Sequence, residues 1–272
     1  MASEVDQTAG STSVARPQDD PAGRYRVEVV ANPSDLPLER ANFLNSEVAE
    51  LACRACGGDA DDEQSAEAIR QGWQAYCMNP GGRSQDYDRL VLVWAGDRLV
   101  GFSGWVVAHV EPDATVLWYK AAGTDPAEQG RGAFAAARDT MGDMSWMTSF
   151  GPPAYFVMRT PNPVIYDNAQ KWWGRFPDMY KHFVPKITED GGMEPVDDEA
   201  RETAARIAKA LWPECEYDAD NFVVRDFLGE YGRDIWRVPP PDSARPGTIR
   251  FFNEKLRGDN QDALMTSCLF YE

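Results

Sequence analysis

Gln129-Gly130-Arg131-Gly132 is the stretch of this 272-residue chain whose residue types and spacing most directly suggest chemistry. Ahead of it, Thr115 to Ala122 is β-branched and aromatic enough to be a strand. Behind it, Phe134, Ala137, Met141 and Met144 recur at the spacing of one helical face, in a helix beginning near Gly132. A glycine-bearing turn from strand to helix leaves backbone N–H groups uncovered at the helix N-terminus, where the helix dipole favours an anion. The chemistry expected is a cradle for a pyrophosphate, with Arg131 able to pair with a phosphate. Covalent catalysis is not suggested, because the chain has no Gly-x-Ser-x-Gly and no cysteine with an evident histidine partner.

Composition narrows what such a turn can serve. Lys and Arg number 27 against 44 Asp and Glu, a formal charge of -17, which argues against a nucleic-acid partner: neutralising phosphates needs clustered positive charge. A cationic small molecule fits that acidity better. No run reaches the roughly 18 apolar residues of a membrane span, and residues 1–24 lack the apolar core of a signal peptide, so no membrane association and a cytoplasmic location are expected. Of the five cysteines (Cys53, Cys56, Cys77, Cys215, Cys268), Cys53 and Cys56 form a single Cys-x-x-Cys inside a helical pattern with no second pair to complete a metal site, and the only histidines are His109 and His182. Neither a disulfide framework nor a metal site is therefore expected.

The elements that must position the turn follow from periodicity and breakers. Residues 1–24, rich in Ser, Thr, Asp and Pro, predict a disordered tail. Tyr25–Val30 predicts a strand, and Leu44, Val48, Leu51 and Ala55 predict a helix that Gly57-Gly58 ends. Ile69, Trp73, Tyr76 and Cys77 predict a second helix, and Leu90–Trp94 with Leu99–Val107 a hairpin across Ala95–Arg98. After the turn and its helix come a strand at Ala154–Thr160, a helix over 164–173 and a helix over Asp198–Leu211. A strand at Phe222–Phe227, a short helix at Arg250–Leu256 and a terminal strand at Ala263–Tyr271 complete the chain. Strands and helices interleave, so the class is α/β or α+β with a mixed sheet.

This order of elements, together with Pro126, Gln129, Gly130, Arg131, Gly132 and Phe134 at the spacings of a Q/R-x-x-G-x-G/A turn, resembles the GCN5-related N-acetyltransferase (GNAT) superfamily. The resemblance covers Tyr25 to Trp173. It implies a mostly antiparallel central sheet flanked by helices as a core over 25–185. Residues 186–272 then complete the sheet as a C-terminal extension with an inserted helix. It also implies acetyl-CoA as co-substrate and no metal, with the acyl group passing by direct attack to an amine of a small molecule.

For the site, the resemblance implies that Gln129, Gly130, Arg131 and Gly132 bind the pyrophosphate, and that Ala122, Gly123 and Thr124 bind the pantetheine through the main chain. Asn162 matches an Asn that follows the family's fifth strand. Where many members then carry a catalytic Tyr this chain has Ala169, and Tyr166 is the nearest phenol. His109 and Glu111, with Asp113 beside them, are the candidate general bases: histidine titrates near neutrality, and a glutamate would need burial to do so. One departure stands out. Phe134 occupies a place where the family has Gly or Ala, and its ring would either crowd the phosphates or turn into the core. Two alternatives keep the fold: a degenerate member that binds CoA or a metabolite without turnover, and an enzyme acting on a protein or peptide amine. Acceptor identity and oligomeric state are left open by the sequence.

Overall fold

A computed structural model describes residues 24–56, 67, 70–71, 87–112, 114–141, 144–174, 181–226, 244–257 and 262–271. The predicted tail, the residues Ile69, Trp73, Tyr76 and Cys77, and the base candidate Asp113 lie outside these.

Among the described residues nine strands form one mixed sheet. They are β1 (Arg26–Ala31), β2 (Arg89–Ala95), β3 (Arg98–Val110), β4 (Ala114–Thr124), β5 (Ala154–Thr160), β6 (Lys181–Val184), β7 (Tyr217–Asp218), β8 (Val223–Val224) and β9 (Ala263–Tyr271). Their order is β1-β2-β3-β4-β5-β9-β8-β7, with β6 also pairing β9. Every pairing is antiparallel except that of β4 with β5. Gly96, at φ +61°, supplies the left-handed residue of the two-residue β2–β3 hairpin loop.

Among the described residues the helices are α1 (Leu38–Cys56), α2 (Ala133–Met141), α3 (Met144–Thr148), α4 (Pro163–Trp173), α5 (Asp198–Leu211) and α6 (Pro246–Lys255). α1 buries Leu44, Val48, Leu51 and Ala52 on one face of the sheet, against Leu90, Leu92, Trp94 and Phe102. The strand residues between these point the other way. Val91, Val93 and Val100, with Tyr25 and Val27, pack Ala133 and Ala137 of α2 on the opposite face. Burial of each such Val or Leu side chain is worth about 1.5–3 kcal/mol.

Two sequence expectations are corrected here. The helix after the turn buries Ala133 and Ala137 and leaves Phe134 half exposed, so Phe134 is not on the core face and its ring does not turn inward. The strand expected over Phe222–Phe227 is only Val223–Val224 among the described residues. It stops because Arg225 turns to Asp218 and Asp262, and Asp226 takes a φ of +51°.

Candidate functional site

Two strands part beside the glycine turn. β4 and β5 pair in parallel from Thr115↔Ala154 to Tyr119↔Met158 and no further. Beyond that step Ala121 to Thr124 keep their partners on β3, while Arg159 and Thr160 keep theirs on β9. The main chain of Ala122, Gly123 and Thr124 therefore borders a gap on its β5 side. The register skips one residue where Gly104 faces Ala121 and Trp105 faces Tyr119, which makes Lys120 the extra residue of a β-bulge. Lys120 is buried, with Nζ 5.1 Å from the Tyr87 ring centroid. Gly104 leaves room for that tyrosine, since a Cβ there would meet the ring at 2.1 Å. Gly123 serves packing as well: a Cβ would meet the Phe102 ring at 2.8 Å and Ala55 at 3.3 Å.

The glycine turn closes one end of this gap. A short 3-10 helix, Pro126–Glu128, follows Asp125, and Gly130 and Gly132 then hold φ values of +72° and +101°, which L side chains rarely adopt. Gln129, Gly130, Arg131 and Gly132 are all exposed. The first i to i−4 bond of α2 runs from the Ala136 amide to the Gly132 carbonyl, so the amides of Ala133, Phe134 and Ala135 are the ones the helix itself does not use. These donors and the positive end of the helix dipole suit a phosphate group.

Beneath the turn lie two buried carboxylates. Asp125 accepts hydrogen bonds from the Ala127 amide at 3.0 Å, Arg54 Nε at 3.3 Å and Arg98 Nη1 at 3.3 Å. Glu128 accepts from the Tyr25 hydroxyl at 2.7 Å, Arg24 Nη2 at 2.8 Å and Arg98 Nη2 at 3.2 Å. Three guanidinium groups thus offset two carboxylates, and the acids brace the turn without leaving net negative charge below a bound anion. Burial, and then the hydrogen bond to Glu128, pushes the Tyr25 phenol above its ordinary range.

At the parted end of β5, Asn162 caps α4: its side-chain oxygen accepts from the Val164 amide at 2.9 Å, while its own amide donates to Thr160 Oγ1. The oxygen is thereby committed to the helix, and any contact with a cofactor falls to Nδ2.

The catalytic residues expected from the sequence are not brought to this gap. Tyr166 is fully buried, donating to the Pro185 carbonyl at 2.8 Å and accepting from the Ile187 amide at 2.8 Å among Phe183 and Phe252. Its hydroxyl is spent on structure, which corrects its assignment as a general acid. His109 and Glu111 are exposed at the β3–β4 connection. His109 Nδ1 lies 3.4 Å from Thr115 Oγ1, and the Glu111 carbonyl accepts from Arg206. From Thr115 to Thr124 the strand extends about 30 Å at its usual rise. Both residues therefore stand at the end of β4 away from the turn.

Sequence reasoning did not single out Tyr119. Tyr119 is the last β4 residue to pair with β5, its ring 4.6 Å from that of Trp105 and its hydroxyl buried without a hydrogen-bond partner among the described residues. Burial pushes its phenol well above the ordinary range, so it keeps its proton. Its place in a β-branched and aromatic strand gave no sign of this. Cys53, half-buried, has its thiol pushed up to about 11 by burial, against the opposing charge of Arg70. Among the described residues no group of His, Cys, Asp and Glu could hold a metal ion.

With four antiparallel strands followed by a parallel step that parts beside a glycine turn, the arrangement is the one the sequence resemblance implies. In fold the chain is similar to GCN5-related N-acetyltransferases. No family model matches the chain, and no curated protein matches it. Among solved structures, an aminoglycoside acetyltransferase from an uncultured soil metagenomic sample, in complex with trehalose, aligns over 62% of this chain and 98% of its own. The identity is 12% and the TM-score 0.35. A Corynebacterium glutamicum structure of histone acetyltransferase HPA2 and related acetyltransferase covers 62% of this chain and 88% of its own, at 11% identity and a TM-score of 0.37. Arabidopsis thaliana Naa50, in complex with the bisubstrate analogue CoA-Ac-MVNAL, covers 62% and 91%, at 14% identity and a TM-score of 0.33. At such scores the likenesses carry no argument, and the resemblance stands on the strand order and the turn.

Proposed function

We propose that the protein is an acyl-CoA-dependent N-acyltransferase that moves an acetyl group from acetyl-CoA to an amine of a small molecule by direct attack. The observation that carries this reading is the parting of β4 from β5 beyond Tyr119↔Met158, next to a helix N-terminus built on Gly130 and Gly132. Acetyl-CoA supplies an activated thioester. Amides of the turn and the first residues of α2 would hold its pyrophosphate, and the main chain of Ala122, Gly123 and Thr124 would align its pantetheine. The Tyr119 hydroxyl, buried and without an acceptor among the described residues, is the phenol this site offers as hydrogen-bond donor to the departing sulfur, in place of Tyr166. Asn162 Nδ2 would take a supporting place at the start of α4.

A second reading, CoA binding without turnover, draws on Tyr166 being spent and on His109 and Glu111 standing far from the turn. Thermal-shift titration with CoA, run beside release of free thiol from acetyl-CoA over a panel of amines, separates the two. Absence of any stabilisation by CoA removes both readings, and stabilisation without thiol release on any acceptor favours the second.

A further inference from the structure

Tyr25, the residue before β1, reaches the glycine turn from 106 positions away in the chain. It is buried, with its ring packed beside Ala133 and Ala137 of α2. A Cβ on Gly132 would meet nothing nearer than this ring, at 3.8 Å, so the phenol forms the floor of the turn. Its hydroxyl carries a single proton, shared between Glu128 Oε2 at 2.7 Å and the Arg131 carbonyl at 3.3 Å. The Arg131 amide in turn donates to the Glu128 carbonyl at 3.2 Å. Both backbone groups of Arg131 are thereby held inward, one by Tyr25 and one by Glu128. The Arg131–Gly132 peptide is trans, so its carbonyl and its N–H point in opposite directions. With the carbonyl aimed at the buried phenol, the Gly132 N–H faces away from it, and among the described residues that N–H has no acceptor. Gly132 immediately precedes α2, so this donor joins the unused amides of Ala133, Phe134 and Ala135.

We propose that Tyr25 is a positioning residue of the cofactor site: its hydroxyl sets the facing of the Arg131–Gly132 peptide and so aims the Gly132 N–H at the pyrophosphate of the acyl carrier. The proposal rests on the acyltransferase reading, which puts that pyrophosphate at the turn. Glycine takes positive and negative φ about equally well, so Gly132, at φ +101°, does little by itself to fix which way the peptide faces. The constraint has to come from outside the turn, and the phenol supplies it. Glu128 acts one step further back. Its carboxylate, held by Arg24 at 2.8 Å and by Arg98 at 3.2 Å, keeps the phenol oxygen beneath the turn. The start of the first strand is thereby part of the site that binds the cofactor.

The test uses the full chain, nitrogen-15-labelled, with CoA, inorganic pyrophosphate and pantetheine as probes. Tyr25→Phe keeps the ring beneath Gly132 and removes only the hydroxyl. It should weaken CoA and pyrophosphate by about tenfold, the size of one hydrogen bond to a charged group, and leave pantetheine, which lacks the pyrophosphate, at the parent's affinity. A general loss of stability does not produce that split, because the dissociation constants are read at a temperature where parent and variant are both folded. The Gly132 amide resonance should shift when CoA or pyrophosphate is added to the parent, and shift less in Tyr25→Phe. The proposal is overturned if Tyr25→Phe binds both phosphate probes as the parent does, if CoA and pantetheine weaken together, or if the parent's Gly132 amide responds to neither phosphate probe. Pyrophosphate binding that depends on the Tyr25 hydroxyl, with no binding of CoA or pantetheine, keeps the positioning role and removes the acyltransferase reading. CoA binding that is indifferent to Tyr25→Phe removes the positioning role alone, and absence of binding by all three probes removes both.

Discussion

Arg98 holds both ends of the short helix that leads into the glycine turn, its Nη1 3.3 Å from Asp125 Oδ2 and its Nη2 3.2 Å from Glu128 Oε1. The arginine side chain is about half exposed, whereas both carboxylates are buried. Glu128→Ala leaves the Tyr25 hydroxyl and two arginines without their acceptor and should cost about 1–3 kcal/mol. Arg98→Ala removes a solvent-screened partner and should cost less than about 1 kcal/mol. Urea midpoints of the two variants check the order, and equal losses would count against the bracing role.

Gly132 holds a φ of +101°, and a Cβ there would meet nothing closer than the Tyr25 ring at 3.8 Å. Conformation rather than space therefore opposes substitution. Gly132→Val should cost about 1–3 kcal/mol through strain and abolish stabilisation by CoA. Phe134→Ala, at a half-exposed ring, should shift stability by less than about 0.5 kcal/mol and keep the CoA effect. A thermal shift with CoA that survives Gly132→Val intact would remove the turn from the binding site.

The two phenols separate structure from chemistry. Tyr166→Phe leaves the Ile187 amide and the Pro185 carbonyl unmatched in the core, with an expected loss of about 1–3 kcal/mol in stability. Tyr119→Phe removes a hydroxyl that has no partner to lose. It should leave stability near the parent's and lower thiol release by about 100-fold. An unchanged rate in Tyr119→Phe sinks its assignment as donor to the sulfur.

The C-terminal strands depend on an acid pair that sets a pH limit. Burial works to raise the Asp262 carboxyl, but hydrogen bonds from the Arg257 side chain and amide, from Arg225 and from the Asp226 amide outweigh it and hold it below the usual carboxylate range. Asp218, half-buried and bonded to Asn221 and Arg225, is held low in the same way. A carboxyl depressed in the folded state contributes its full stability above its unfolded value and loses it as pH falls through the folded one. Unfolding free energy should therefore drop below about pH 4, with a shallower slope in Asp262→Asn. Equal slopes would show that other groups set the limit.

Much of the frame was legible because its signals are local. Gly96 between two β-branched runs marked the hairpin, Ala154–Thr160 matched β5 end for end, and the paired glycines marked a turn that needs positive φ. The failures came from tertiary partners. Tyr166 finds Pro185 and Ile187 some 19 and 21 residues along the chain, a contact that no periodicity reports. His109 and Glu111 are near β4 in sequence, but sequence distance does not say that an 11-residue strand carries them to its other end. Phe134 fits the helical spacing of a core face, yet the small Ala133 and Ala137 are what lets α2 approach Val91 and Val93 closely.

Among the described residues β9 is the last strand in chain order, and it is β5's neighbour on the side away from β4. During synthesis the strand that flanks the gap must wait, with one edge bare, until some hundred further residues have left the ribosome. Antiparallel strands β1 to β4 can assemble early from neighbouring segments, but the gap acquires a second wall that is fixed on both sides only when the final nine residues of β9 dock.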